Sequence, residues 1–448
     1  NDPGFGLDYH PEKKPTGNSE LSRMAGFFGN LNYTYDNRYF ADFSVRADAS
    51  SRFGADKRWA VFWSAGVGYN LHNEVFLKKL EWVSLLRLRA SYGVTGGQNF
   101  NPYQAMTTYR FITDKWYGYG SGAEMLALGN DDLKWQSTVQ KNFGLDLGMW
   151  KDRLTLTFNY YHKLSENSLT DVTLPPSLGF PSYKENLGEV VNEGWEFTLR
   201  GFVVKKEDFN IMLSVNGAQN NNKLKKISNS LKAFNEEQDK QVENKVMARY
   251  VEGQSLNTIW VVRSLGIDPA NGKELFLDKN GKRTYDWNAD DYVAEATTDP
   301  RLYGNLGLGI FYRGFSLNTY VNYSLGEKAY NQTLVDRVEN ADKHYNCDRR
   351  VLYDRWHKPG DETFFKDVKD ASVTRPTSRF VQKNNYLNMT SLNVAYEFNP
   401  RLLEPLRIKY LKLAFYMTDL FRISTMKAER GLDYPFARTF TTSLQIRF

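Results

Sequence analysis

The sequence is poor in cysteine, in histidine and in long apolar runs, and each shortage removes a class of protein. One cysteine, Cys347, stands among 448 residues. A single thiol makes neither an internal disulfide nor a cysteine-cluster metal site, and it reports no redox compartment. The five histidines are His10, His72, His162, His344 and His357. No two of them sit at the i, i+4 spacing of a helical metal site. His162 falls on the same strand face as Leu154 to Tyr160, which suits an interfacial imidazole better than a catalytic base. Asp286-Trp-Asn-Ala-Asp-Asp291 alternates oxygens as a calcium loop does, but Asp291 and Thr297 replace the Gly and Glu that such a loop needs. We therefore expect no enzyme, no cofactor and no metal. Charge of one sign is also scarce. Lys+Arg is 58 and Asp+Glu is 52, a net charge of +6. The nearest approach to a basic cluster, Lys223, Lys225 and Lys226, is expected in a polar loop, so no nucleic-acid partner is expected. No run approaches the ~18 apolar residues of a transmembrane helix.

Aromatic residues are abundant by contrast. Tyr 28, Phe 29 and Trp 10 make up 15% of the chain, while mean hydropathy is −0.58. Many rings within a polar average imply alternation. In Leu154–His162, Leu154, Leu156, Phe158 and Tyr160 take one face and Thr155, Thr157, Asn159 and Tyr161 the other. Phe209–Asn216, Phe315–Asn322, Ser391–Phe398 and Phe440–Phe448 repeat the pattern. Thirteen such strands are expected, near 22–36, 38–49, 59–71, 84–95, 134–150, 153–164, 186–203, 208–221, 301–313, 315–326, 386–398, 409–421 and 438–448. A soluble sandwich also alternates. Three features favour a membrane barrel: strands long enough for a tilted span, aromatics near strand ends, and connections that alternate tight and long. Asp36-Asn37, Lys151-Asp152, Lys205–Asp208 and Arg313-Gly314 are tight, whereas 96–133, 222–300 and 327–385 are very long. If the tight turns are periplasmic, the first and last strands both run downward. An odd strand count implies further strands from another portion, because bacterial barrels are even. The same reading makes residues 1–21 the tail of an outer loop and 22–448 the later part of the barrel. It also implies a mature chain without its true beginning, since no signal peptide is visible at Asn1.

Several motifs sharpen this. Arg46-Ala-Asp-Ala-Ser-Ser-Arg-Phe-Gly54 is followed by Arg58-Trp59 and by Leu88-Arg-Ala-Ser-Tyr-Gly-Val-Thr-Gly-Gly-Gln98. Then come Leu133-Lys-Trp135 with Gln140 and Gly144-Leu-Asp146, Asn186-Leu-Gly-Glu189, Asn192-Glu-Gly-Trp-Glu196, Gly266-Ile-Asp-Pro269 and Asp433-Tyr-Pro-Phe-Ala-Arg438. In this order, from about residue 22 to the end, the chain resembles the C-terminal barrel portion of the SusC/RagA family of TonB-linked outer-membrane proteins. The terminal Phe448 also resembles the signal by which barrel-assembly machinery recognises its clients.

The resemblance implies an all-β, multi-pass outer-membrane barrel: about the last thirteen strands of a 22-stranded transporter, with the plug domain absent from this chain. It implies TonB-dependent import of a glycan or oligopeptide. The implied partners are a SusD-like surface lipoprotein acting as lid, an N-terminal barrel and plug portion, TonB through that plug, outer-membrane lipid, and a dimer of transporter–lipoprotein pairs. A passive porin or an adhesive surface barrel is the competing reading. Within this frame Trp116, Tyr117, Tyr119, Trp260, Trp287 and Trp356 are candidates for substrate or lid contact, with loop packing as their alternative role. Asp42, Arg46, Arg87, Arg89, Glu196 and Arg200 are expected on the plug-facing lumen. Gly66, Gly68, Gly144 and Gly148 are expected on that side too, leaving room for an inserted domain.

Overall fold

The computed structural model describes residues 20–448 apart from 55–56, 99–101, 119, 128, 131–132, 167–168, 174–181, 187, 228, 241–243, 343 and 428–437. Thirteen strands form one antiparallel sheet in chain order, each hydrogen-bonded to the next. They are Met24–Tyr35, Tyr39–Ser50, Trp59–Asn70, Val83–Gly97, Gln136–Met149, Leu154–Glu166, Gly188–Lys205, Phe209–Ile227, Leu302–Tyr312, Phe315–Leu325, Tyr386–Glu397, Tyr410–Thr418 and Thr439–Arg447. Every strand that the alternation implies is present. The eighth extends six residues beyond its expected end. A short piece, Arg422–Ser424, joins the sheet beside Tyr386–Asn388.

The register sorts the side chains. Leu86, Leu147, Leu156, Leu199, Val215, Leu306 and Val321 stand opposite one another across seven adjacent strands. One residue along, Arg87, Asp146, Thr157, Thr198, Asn216, Asn305, Asn322 and Asn388 form the matching polar row. Directly opposed residues share a face, so the sheet has one greasy side and one wet side, the wet side carrying four successive asparagines. A slip of one residue would exchange the two sides, which pins the register.

Tight turns close one end. Asp36 and Asn37 both have φ 51°, and Arg313 and Gly314 have φ 44° and 89°. Paired left-handed residues give the twist that two-residue hairpins need. Among the described residues, the outer edges of the first and last strands have no ladder partner.

The other end carries the long segments, which hold more structure than the sequence suggests. The first contains a hairpin, Thr108–Tyr117 with Gly120–Ala127. The second contains a helix, Asn229–Lys240, and a four-stranded sheet ordered Arg283–Thr284, Glu274–Leu277, Thr258–Ile267, Tyr292–Thr297. Turns at Asn271-Gly272 and Asn280-Gly281 fall between these strands, with Gly272 and Gly281 at φ 72° and 77°. The third pairs Lys328–Tyr330 with Val381–Lys383.

Candidate functional site

The second and third long segments interlock. Ile259, Trp260, Val261 and Val262 are all buried, so this strand is covered on both faces, as a core strand is. The third segment runs along the edge of this strand. Val262 N donates to Pro376 O at 3.3 Å, and Ser264 N donates to Ser378 Oγ at 2.9 Å. The third segment has an apolar cluster of its own, Leu334, Val335, Val338, Val351, Phe365 and Phe380.

A buried ion network joins the two. Arg379 donates through Nη2 to Glu274 Oε2 at 2.8 Å and to Glu339 Oε1 at 2.7 Å. Its Nε reaches Glu274 Oε1 at 3.1 Å. Thr377 and Thr374 hydroxyls donate to the same two carboxylates at 2.7 and 3.2 Å. The side chains of Arg379, Glu274 and Glu339 are 4%, 7% and 0% exposed. Burial disfavours the guanidinium charge, but the two carboxylates outweigh it and the Arg379 pKa moves upward. Arg355 and Lys366 lie close by without a carboxylate clasp of that quality, and burial lowers both of their pKa values. Arg355 hydrogen-bonds the Val338, Glu339 and Lys366 carbonyls, and Lys366 bonds Ser372. The segments therefore form one unit with a charged core.

The candidate tryptophans sit inside this unit. Trp260 is 8% exposed and Trp356 is 9% exposed. Trp356 Nε1 donates to Pro269 O at 2.9 Å, so the Gly266–Pro269 motif is where the third segment docks on the second. Gly272 leaves space for that ring, since a Cβ there would lie 2.5 Å from it. Trp287 is half-buried; its Nε1 donates to Pro376 O at 3.0 Å, and Arg375 lies 4.9 Å over its ring. These three rings take the loop-packing role. Trp116 and Tyr117 belong to the first hairpin, with side chains outside the described residues, as is Tyr119 entirely. Sequence reasoning did not single out Tyr345, Leu352, Tyr353 and Val373, which are exposed by 76%, 57%, 74% and 61%. No local pattern distinguishes an exposed loop ring from a packed one.

The wet face of the strands carries a second polar chain. Arg89 bonds Asp146 at 2.9 and 3.1 Å and Asn159 at 3.1 Å. Asn159 then donates to Glu196 at 3.2 Å. Arg87 donates to Asn70 at 2.7 Å and stands over the Phe40 ring. Arg46 bonds Asp48 at 2.6 Å. Asp42, Glu196 and Arg200 are exposed. The glycines of this face are not open spaces. A Cβ on Gly68 would lie 1.7 Å from the Phe40 ring, on Gly66 2.5 Å from Asp42, on Gly144 2.8 Å from Arg89 and on Gly148 2.5 Å from Asp152. Neighbouring side chains of the same sheet occupy the room expected for an inserted domain.

Other motifs also resolve into packing. Phe53 stacks on Trp135 at 4.6 Å, and with Ala105 and Leu133 it forms a small core where the first long segment leaves the strands. Gly194 lies against the sheet, where a Cβ would approach Gln219 O to 2.0 Å. Asp433–Ala437 lie outside the described residues. Phe448 is 75% exposed beyond the last strand.

A polar cavity of about 450 Å³ opens where Asn220, Asn222, Gln254, Glu295, Asp299 and Arg301 converge near the strand ends. It offers amide and carboxylate groups to a ligand rich in hydroxyl or peptide groups. Among the described residues no cluster of three or more metal-ligating side chains occurs.

Comparison with known proteins places this architecture. The chain is similar to the TonB-dependent receptor SusC of Bacteroides thetaiotaomicron, 28% identical over 474 residues, covering 97% of this chain and 45% of that protein. TonB-dependent receptor P3 of Formosa agariphila is 26% identical, with 97% and 46% covered. The chain thus spans less than half the length of these relatives. A solved structure of the RagAB peptide transporter matches the fold with a TM-score of 0.82 at 23% identity, covering 98% of this chain and 49% of that one. The model of the TonB dependent receptor-like β-barrel family matches residues 2–340. The chain belongs to that family, and its strands form an outer-membrane β-barrel wall with the greasy side toward lipid.

Proposed function

We propose that this chain forms the wall and outer platform of a transporter that imports a nutrient oligomer, a glycan or an oligopeptide, across the outer membrane with energy delivered through TonB. The observation that carries the reading is the pairing of a family barrel wall with long outer segments fused into one packed unit. A platform of fixed shape is suited to docking a lid, and the relatives are named for receptors and a peptide transporter.

In this reading a SusD-like lipoprotein rests on the platform, where exposed Tyr345 and Tyr353 offer docking rings. The first hairpin, which carries Trp116 and Tyr117, belongs to the same outer surface. The free edges of the first and last strands pair with the remaining strands of the barrel, because an open sheet edge has no partner in hydrocarbon. A plug carried by that remaining portion stands against Asp42, Arg46, Glu196 and Arg200 and couples to TonB.

Uptake of fluorescent oligosaccharides and oligopeptides by cells producing the intact transporter tests this. Uptake should stop when TonB is deleted, and a SusD-like lipoprotein and a plug-bearing portion should co-purify. Uptake that persists without TonB, together with large conductance of the purified complex in a planar bilayer, would instead establish a passive pore.

A further inference from the structure

We propose that the lipid-facing wall carries a specific seat for one anionic phospholipid of the periplasmic leaflet. A groove of about 850 Å³ lies at the turn end of three strands, Gln136–Met149, Leu154–Glu166 and Gly188–Lys205, and of their neighbour Phe209–Ile227. Its floor has a plain cause. Met149, Leu154, Gly201, Leu213 and Leu308 share one row of the greasy face. Gly201 alone in that row has no side chain, so the row is dented there. Just beyond, the register shifts between Phe202 and Val204. The extra residue of this bulge, Val203, is pushed out to 65% exposure and walls the dent, as bulges re-aim side chains.

Trp82 and Trp150 line the rim side, and their backbones are joined by Trp150 N donating to Trp82 O at 2.7 Å. Such rings mark headgroup depth. Lys151 and Arg153 line the same opening with one opposing charge, Glu81. Lys205 stands 5.0 Å from the ring of Phe202, another lining residue. The carboxylate of Asp152 is occupied by the Ser84 hydroxyl at 2.6 Å.

Two other turns at this end pair a cation with a carboxylate of their own. Arg38 pairs with Asp36 and Glu74 at 3.1 and 3.3 Å, and Arg313 pairs with Asp208 at 3.7 Å. Among the described residues Lys151, Arg153 and Lys205 have no ion-pair partner. Unpaired cations above a greasy dent, with tryptophans between, match a phosphate over an acyl chain. An anionic headgroup supplies the missing countercharge, and the chain fills the dent left by Gly201.

The intact transporter complex, purified in mild detergent and offered equal amounts of phosphatidylglycerol and phosphatidylcholine, tests the seat by native mass spectrometry. The wild type should retain one phosphatidylglycerol in preference. Arg153→Gln and Lys205→Gln should each weaken that preference about fivefold. Gly201→Leu, which fills the dent without changing charge, should abolish retention. Equal retention of both lipids by the wild type would overturn the proposal. So would a Gly201→Leu complex that still holds its lipid, or charge variants that keep the wild-type preference.

Discussion

The strand wall and the outer platform are built from one polypeptide by opposite means. Large hydrophobics on the wall face outward: Phe27, Val61 and Phe143 are 72%, 63% and 59% exposed. The platform hides its own, with Val261, Val262, Val335, Val338 and Phe380 all at 0%. The wall has no private core and relies on backbone ladders and on lipid as its apolar solvent. The platform behaves as a water-soluble domain does, burying apolar surface and then accepting charges only when they are clasped. The lesson is that burial, more than residue type, sets what an interaction contributes here.

That contrast can be broken by substitution. The largest effect is expected from Arg379→Ala, which strands two buried carboxylates and should cost about 3–5 kcal/mol. Hydrogen exchange should report opening of Thr258–Ile267 and Glu274–Leu277 with the wall unchanged; retained protection there would show that the network is ornamental. Next is Phe158→Arg on the greasy face at mid-strand, expected to cost about 2–4 kcal/mol when the intact barrel is unfolded from lipid vesicles. Thr157→Arg on the wet face should cost much less, and equal costs would reverse the face assignment. Arg89→Ala removes an Arg–carboxylate pair of the same chemistry as Arg379 with Glu274, but Arg89 is 38% exposed. Water replaces the lost partner, so about 1 kcal/mol is expected in the same unfolding assay.

The smallest effect is a pH dependence of the platform. Arg350 holds the Asp348 carboxyl well below the usual carboxylate range. A lowered folded-state pKa stabilises the fold above the unfolded value and loses that contribution as pH falls through the folded one. Asp348→Asn should therefore flatten the acid limb of platform melting below about pH 4 by less than about 1 kcal/mol. An unchanged acid limb would mean that the pair contributes nothing.

Much of the wall was legible because its rule is local. Leu154, Thr155, Leu156 and Thr157 announce a two-faced strand without reference to any other part of the chain, and the left-handed pairs Asp36-Asn37 and Arg313-Gly314 announce its turns. The platform was legible only as length. Its helix Asn229–Lys240 and its four short strands lack the sustained period that made the wall readable. Trp260 and Trp356 look in the sequence like rings available to a ligand, yet they are buried. Whether a ring is packed or free depends on what meets it: Trp356 docks on Pro269, 87 positions away, while Arg249 lies over Trp260. Gly68 and Gly144 misled for the same reason: the space above each is taken by a side chain on the adjoining strand.

The sequence alone determined which residues alternate, how many strands cross the membrane and which side of each meets lipid, since a strand's two faces are fixed by the pleat of its own backbone. Only the tertiary structure decided that Glu274, Glu339 and Arg379 would meet, that the long segments would fuse into a platform, and that Gly201 would open a dent beside unpaired cations. Those outcomes depend on contacts between distant segments and on a local bulge, and a period of two residues, which only forbids one-residue slips, carries no information about either.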